Sequence, residues 1–313
     1  MIVAAGLGTR TRPLSDLRPK PALPVRGIPL IAYNLALLAH HGVTEVVINA
    51  HHLPELLIAA AERYAPSGMT LHFSVERELL DTGGGIRRVA DFLRECDPCL
   101  IIGGDMILDA SLSALIDTHK TRGDAVTMLL RDDPRDARFG SIGVDTAGRL
   151  RRIGSRFDFG GEAARGVYTW VNVVAARALA TLPDRERFGH LDHWIGPLLA
   201  AGASDIRGEI AAPDASVWEP VGTLPEYLQA NLHPPSLAYF DPDKRALREG
   251  AKFMADLVIG AGATLATGAS LRRAVVWDGE HVGPEVHASD GVFAGGSFVC
   301  CLDDDPRASR SSE

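Results

Sequence analysis

From Met1 to about Arg131 the chain alternates short apolar runs with stretches of helical period, and few folds accommodate that rhythm. The runs are MIVAA, VTEVVINA, TLHFSV, CLIIGG and AVTMLL, and the helical periods fall near 29–41, 53–64, 82–94 and 111–120. Parallel strands are joined by connections of a dozen or more residues, usually a helix, and strands covered on both faces read as unbroken apolar runs. The alternation therefore predicts an α/β fold, a mostly parallel sheet with helices on both faces. In open sheets of this kind ligands bind beyond the carboxyl ends of the strands. Chemistry is expected in the loops after MIVAA, TLHFSV and LIIGG.

The string FGSIGVDTAGRLRRI at 139–153 predicts a β-hairpin turning at 145–148. A strand near 168–174 follows, then a helix near 191–201 that stops at Gly202. At 313 residues the chain exceeds what one core usually holds, so a second, smaller domain is expected. The proline-rich HPPSLAYFDPDK opens a linker over 233–253. Beyond it Ile259, Leu265 and Leu271 recur every six residues with small residues between, the hexapeptide pattern of a short left-handed parallel β-helix over 254–300. A Gly/Ala-rich β-meander is the alternative. The end, 301–313, is expected to be a disordered tail. Such coils expose edges and apolar faces that another subunit commonly covers, so a homo-oligomer is expected.

A formal net charge of −8 argues against a broad nucleic-acid surface and leaves room for a local basic pocket. No apolar run approaches the ~20 residues of a membrane helix, and a cytoplasmic protein is expected. Cys96 and Cys99 form a CxxC without the second pair a zinc ribbon needs, and Cys300 and Cys301 are vicinal. The CxxC flanks a strand and is read as an inert core feature.

The string AAGLGTRTRPLSDLRPKPALPV directly follows the first strand. A backbone that approaches a triphosphate needs glycines so that its N–H groups can face the oxygens, and Gly6 and Gly8 supply them. Arg10 can neutralise a pyrophosphate leaving group, and Lys20, between Pro19 and Pro21, can place a point charge on the reacting phosphate. The third glycine of a dinucleotide fingerprint and the GK[ST] of a P-loop are both missing.

The whole string resembles the signature of the NTP-transferase family that makes nucleotide-sugars, G-x-G-T-R-(x)-R-P-(x)n-P-K-P. LLDTGGGIR, IIGGDM, DHWIGPLLAAG and VWEPVGTLPEYLQANL follow in family order within 1–232. The TGGG loop is most similar to N-acetylmuramate-1-phosphate uridylyltransferases, and the coil to mannose-1-phosphate guanylyltransferase-like members. The resemblance implies a Rossmann-like, glycosyltransferase-A-like nucleotidyltransferase core and a catalytic domain over 1–232. It implies attack by a sugar 1-phosphate on the α-phosphorus of an NTP, UTP or GTP, with Mg²⁺ as cofactor. It places Arg10, Lys20 and Asp105 in catalysis and Asp105 on the metal. Ala5, Gly6, Gly8, Thr9, Arg10, Glu76, Thr82, Gly83 and Gly84 are placed on the nucleotide, and Gly143, Trp170 and Asn172 on the sugar. As an acceptor, Glu76 suits the N–H edge of uracil or guanine.

Three positions depart from the family pattern. Pro220 stands where a second magnesium aspartate is usual, and Glu219, one position off, should point to the opposite face. Trp170 stands where a glycine floors the sugar pocket, and a Glu-Lys-Pro element near Ile153 is missing, leaving Arg152 or Arg156 as substitutes. An active enzyme of a divergent subgroup and a catalytically weak regulatory paralogue are the two readings. Retention of Arg10, Lys20 and Asp105 favours the enzyme. A bifunctional acyltransferase is dismissed, because the coil is short and His281 and His287 are isolated.

Overall fold

The computed structural model describes residues 1–302. Its centre is a ten-stranded sheet. The strands Thr70–Val75, Glu45–Ala50, Ile2–Val3 and Cys99–Gly103 lie side by side in that order and run parallel. The long strand Ala164–Val174 then enters antiparallel, pairing Cys99–Gly103 on one side and Val126–Arg131 on the other. Val126–Arg131 pairs in parallel with Ile206–Ala211. The predicted hairpin, Ile142–Val144 with Leu150–Ile153, attaches to the start of Ala164–Val174 and carries Phe157–Asp158 at its edge. By these pairings eight of the ten strands point one way, and only Leu150–Ile153 and Ala164–Val174 oppose them.

The inner strands Glu45–Ala50 and Cys99–Gly103 are buried almost throughout because both faces are covered, whereas the edge strand Thr70–Val75 alternates towards solvent. Side chains alternate across a strand, so Ile2, Ile48 and Ile102 join one buried cluster with Ile31, Leu35 and Leu57, while Val47 and Ile101 join the opposite one with Leu93 and Trp194. The helices form near their expected bounds, at Leu30–His40, Pro54–Arg63 and Leu112–Arg122. Two differ. The helix expected over 82–94 starts at Asp81 in a left-handed conformation and divides at Val89. The helix expected over 191–201 opens with a wide π turn, Leu191–Ile195, before Gly196–Ala200. A Cβ at Gly196 would fall 2.4 Å from the Phe157 ring, so glycine lets the hairpin pack against this helix.

The stretch expected to be a linker is a packed connector. Pro242 opens a helix, Pro242–Arg248, capped by Asp241, which accepts from the Lys244 N–H at 2.9 Å. Buried Arg26 forks onto Asp243 at 2.7 and 2.6 Å and lies over the Phe253 ring. The prolines thus serve a helix start rather than an extended spacer.

Past it, Leu257–Ile259, Ser270–Val276 and His287–Ala294 stack in parallel, as do Thr264–Leu265 and His281–Val282. Every pairing joins residues 17 apart, Leu257 with Ala274 and Thr264 with His281 among them, so the chain coils once per 17 residues. Neighbouring strands of a meander would run antiparallel. Antiparallel strands close both ends, Lys252–Phe253 and Ser297–Cys300. The coil shares one core with the first domain, since Val258, Val275, Trp277 and Val292 pack with Leu14, Leu23, Tyr33 and Tyr227.

Cys301, expected in the tail, is buried in this core, and its N–H donates to the Asp290 carbonyl. The rest of that expected tail, from 303 on, lies outside the described residues. All four cysteines are free thiols, and burial pushes those of Cys99 and Cys301 up to about 11 and about 12. Among the described residues no helix is long and apolar enough to cross a membrane.

Candidate active site

The loop after the first strand folds back on its own glycine. Gly8 sits at φ 62, and its carbonyl accepts from the Thr11 and Ser15 hydroxyls, both at 2.8 Å. A Cβ there would also meet Ser15 at 3.0 Å, so Gly8 answers both strain and space. The loop ends in a short helical turn, Lys20–Ala22, that follows Pro19. Lys20 is buried, and its Nζ reaches Asp105 Oδ2 at 2.5 Å. Asp105 stands on the turn just past Cys99–Gly103, which the Gly104 N–H ties to the Val3 carbonyl at 2.9 Å. Two segments 85 residues apart therefore deliver opposite charges to one point.

That point lies where two cavities meet. The smaller, about 310 Å³, is lined by Ala5, Gly6, Lys20 and Asn49. The larger, about 610 Å³, is lined by Ser141, Arg156, Tyr168, His190 and Pro220. Arg10, Asp81, Thr82, Asp105 and Trp170 line both.

Trp170 sits at φ 63, where the pairing of Ala164–Val174 with Val126–Arg131 slips between Tyr168 and Val171. The slip turns its indole out of the sheet and onto His190, 4.7 Å between centroids, beside Tyr168 at 5.5 Å. A Cβ at Gly103 would lie 3.0 Å from the Trp170 Cβ, so the neighbouring strand makes room for it. His190 is buried, and burial lowers its pKa to about 4, which leaves the ring neutral near pH 7.

Partners assign its tautomer. The Tyr168 hydroxyl donates to Asn172 Oδ1 at 2.9 Å, so His190 Nε2 donates to Tyr168 at 3.1 Å. Nδ1 then accepts from the Thr82 hydroxyl at 2.8 Å, and that hydroxyl accepts the His190 N–H at 3.0 Å. The far wall of the larger cavity is a neutral, internally satisfied ring cluster.

The sequence pattern of the family described as "Nucleotidyl transferase" matches residues 1–235, three-quarters of the chain. The chain belongs to the nucleotidyl transferase family. A mannose-1-phosphate guanylyltransferase of Mycobacterium tuberculosis is 29% identical over 298 residues, 90% of this chain and 80% of that protein. A UTP–glucose-1-phosphate uridylyltransferase of Synechocystis is 22% identical over 242 residues, 74% of this chain and 61% of that protein. The crystal structure of HddC from Yersinia pseudotuberculosis superposes with a TM-score of 0.60 at 20% identity, over 73% of this chain and 96% of that one. This likeness is one of fold.

Within this nucleotidyl transferase the expected site residues divide. Ala5, Gly6, Arg10, Lys20, Thr82, Asp105 and Trp170 line the joined cavities, whereas Gly8 and Thr9 do not. Glu76, expected to read the base, is 2% exposed and lines neither cavity. Its two oxygens accept from Asn49 Nδ2 at 2.8 Å and the Leu80 N–H at 3.0 Å. Asn49 in turn accepts from the Ala4 N–H at 2.7 Å, so Glu76 braces the loop start instead of meeting a base.

Gly83 and Gly84 also turn inward. Both N–H groups donate to the Phe188 carbonyl, and Cβ atoms there would lie 2.3 Å from the Phe188 ring and 2.2 Å from the Glu186 carbonyl. They let 186–188 pack closely rather than face a nucleotide. Gly143 is covered by Glu162, 2.0 Å from a Cβ there, and Glu162 is held by Arg152 at 2.6 Å. Asn172 is buried and holds Tyr168 rather than a sugar. Of the two substitute arginines, Arg156 faces the larger cavity and pairs with Asp192 at 3.0 Å.

Pro220 lines the larger cavity opposite Met106, and Glu219 points away, where Arg135 donates to it at 3.0 Å. The sequence reading missed Asp81, Tyr168, His190 and Glu226 as lining residues. Tyr168, two positions before Trp170, carried a period-2 signal, Asp81 directly precedes Thr82, and Glu226 stands three residues after the capping Thr223; His190 had no such signal. Glu226 accepts from the Gly222 N–H at 2.7 Å and pairs with Arg138 at 2.8 Å.

The donor set fits magnesium in a limited way. Among the described residues no cluster of three or more His, Cys, Asp or Glu side chains can hold a metal. Mg²⁺ commonly takes only one or two carboxylates together with substrate phosphates and water. The Asp105 side chain is 45% exposed at the seam, which leaves an oxygen open beside the one on Lys20.

Proposed function

We propose that the chain transfers a nucleoside monophosphate, GMP or UMP, from an NTP to a sugar 1-phosphate with release of pyrophosphate. The observation that carries this reading is the convergence of Arg10, Lys20 and Asp105 where the two cavities meet. The smaller cavity, with the backbone of Ala5 and Gly6 on its wall, suits the nucleotide, and the larger suits the sugar. A phosphate oxygen of the sugar phosphate forms a bond to the α-phosphorus. The bond to the bridging oxygen breaks, and pyrophosphate leaves with that electron pair. Catalysis is then positioning plus charge neutralisation. Lys20 sits against the reacting phosphate, and Arg10, exposed on the same loop, meets the leaving group. Asp105 would hold Mg²⁺, which supplies further neutralisation of phosphate charge when bound.

Incubation with Mg²⁺, each NTP and a panel of sugar 1-phosphates should release pyrophosphate with one base preferred. Nucleotide binding without turnover across the panel would sink the reading. It would favour the regulatory paralogue, for which Pro220 on the cavity wall is the supporting observation. We read the 17-residue coil as a short left-handed β-helix and the protein as a homo-oligomer. Leu247 and Met254, 55% and 58% exposed near the start of the coil, support the latter. Sedimentation of the intact chain as a monomer at micromolar concentration would refute it.

A further inference from the structure

The signature loop is gripped from behind by the coil. Arg18, two residues before Lys20, pairs with Asp278 at 2.8 Å and lies 4.7 Å over the Trp277 ring. The Trp277 indole N–H donates to the Tyr227 hydroxyl at 2.9 Å, and that hydroxyl donates to the Pro24 carbonyl at 2.5 Å. Pro24 stands four residues past Lys20. Lys20 is therefore flanked at 18 and at 24 by ties that lead to one indole, and Trp277 and Tyr227 are both buried. A third contact presses the same loop, since a Cβ at Gly295 would fall 2.9 Å from Leu17.

A buried indole is held by packing on all sides. A loop tied to it on both flanks inherits that rigidity, and a cation whose task is to meet a phosphate depends on being placed to within an ångström or so. We propose that Trp277 and Asp278 of the coil are positioning residues for nucleotidyl transfer, fixing the Lys20 ammonium against Asp105. The inference rests on the nucleotidyl-transfer reading above.

Two variants of the intact chain test it. Asp278→Asn changes an exposed side chain and leaves the coil's core untouched, and Trp277→Phe keeps a ring while removing the N–H. Both should lower kcat about tenfold and move KM for the NTP less than twofold, because the tied segment 18–24 that places Lys20 shifts while Ala5, Gly6 and Asn49 on the smaller cavity stay in place. Asp278→Glu should recover most of the loss. Hydrogen exchange of the Ala22 and Leu23 amides, which bond the Pro19 and Lys20 carbonyls, should quicken about tenfold in Asp278→Asn while coil amides stay unchanged. Wild-type kcat and wild-type exchange in Asp278→Asn would overturn the inference. So would a loss that Asp278→Glu fails to restore, or one that tracks dissociation measured by sedimentation. A wild-type protein without turnover would sink the nucleotidyl-transfer reading alone, and the exchange data would then decide the brace.

Discussion

On one side of Asp105 the cavity wall is backbone and cation, Ala5, Gly6, Arg10 and Lys20, whereas on the other it is rings, Tyr168, Trp170 and His190. The first wall is set for charge. Its arginine and lysine come from one loop, and among the described residues the side-chain partner of the Lys20 ammonium is the carboxylate that would also face a metal. The ring cluster on the second wall is uncharged, although Asp81, Arg156, Asp192 and Glu226 line the same cavity elsewhere. Its histidine is held neutral by burial, and the Tyr168 hydroxyl is spent on Asn172 and His190. Phosphate chemistry needs fixed opposite charge wherever the reaction occurs, while a sugar ring is recognised by shape, stacking and a few hydrogen bonds. On the proposed reading the charged wall is the one fixed by the reaction, and the ring wall is the one that selects the acceptor.

Breaking the charged wall should have the largest effect. Asp105→Asn removes the partner of Lys20 and the carboxylate offered to a metal, and turnover should fall by about 10² to 10³-fold, the scale of losing one preorganised charged group. Steady-state pyrophosphate release measures it. A loss under about tenfold would show that the charge at the seam is not the decisive difference between the halves.

Next is the neutrality of the ring wall. The folded pKa of His190, about 4, lies below its ordinary value of 6.5, so the unfolded chain binds the extra proton more readily. Its contribution is complete above pH 6.5 and is lost as pH falls towards 4. The loss should reach about 3 kcal/mol, from ~1.4 kcal/mol per unit. Urea unfolding of wild type and His190→Gln across this window should show the variant with the flatter dependence; parallel curves would mean that His190 is not buried as a neutral ring.

Opening the ring wall should be milder. Trp170→Gly relieves the left-handed strain at φ 63 and removes the stacking face. Losing a ring contact of about 1 to 1.5 kcal/mol should raise KM for the sugar 1-phosphate about tenfold. KM for the NTP should change much less, and an equal rise in both would mean that the two cavities do not work as separate subsites. Smallest should be Glu219→Ala, with kcat within about twofold of wild type, because Arg135 holds that carboxylate away from the larger cavity. A large loss would show that Glu219 turns inward to stand in for the aspartate that Pro220 replaces.

Much of this was legible before the coordinates. Periodicity and the loop string are local, so the sheet, its flanking helices and the hairpin turn followed from them, whereas the pairing of Lys20 with Asp105 across 85 residues did not. The antiparallel strand Ala164–Val174 was not legible as such, because an apolar run does not carry its direction. Glu76, Gly83, Gly84 and Gly143 were assigned to ligands through the family resemblance, but each is consumed by a protein partner. Only packing decides that.

The sequence by itself determined the pieces of the charged wall, since a glycine-bearing loop, a lysine between prolines and an aspartate after two glycines are each set by bonds along the chain. What the tertiary structure alone decided was the company these residues keep. A slipped register lifted Trp170 out of the sheet, burial neutralised His190, and a connector helix brought Trp277 behind the loop that holds Lys20. Each is a meeting of segments far apart in the chain, and no local pattern encodes which buried neighbour a side chain will find.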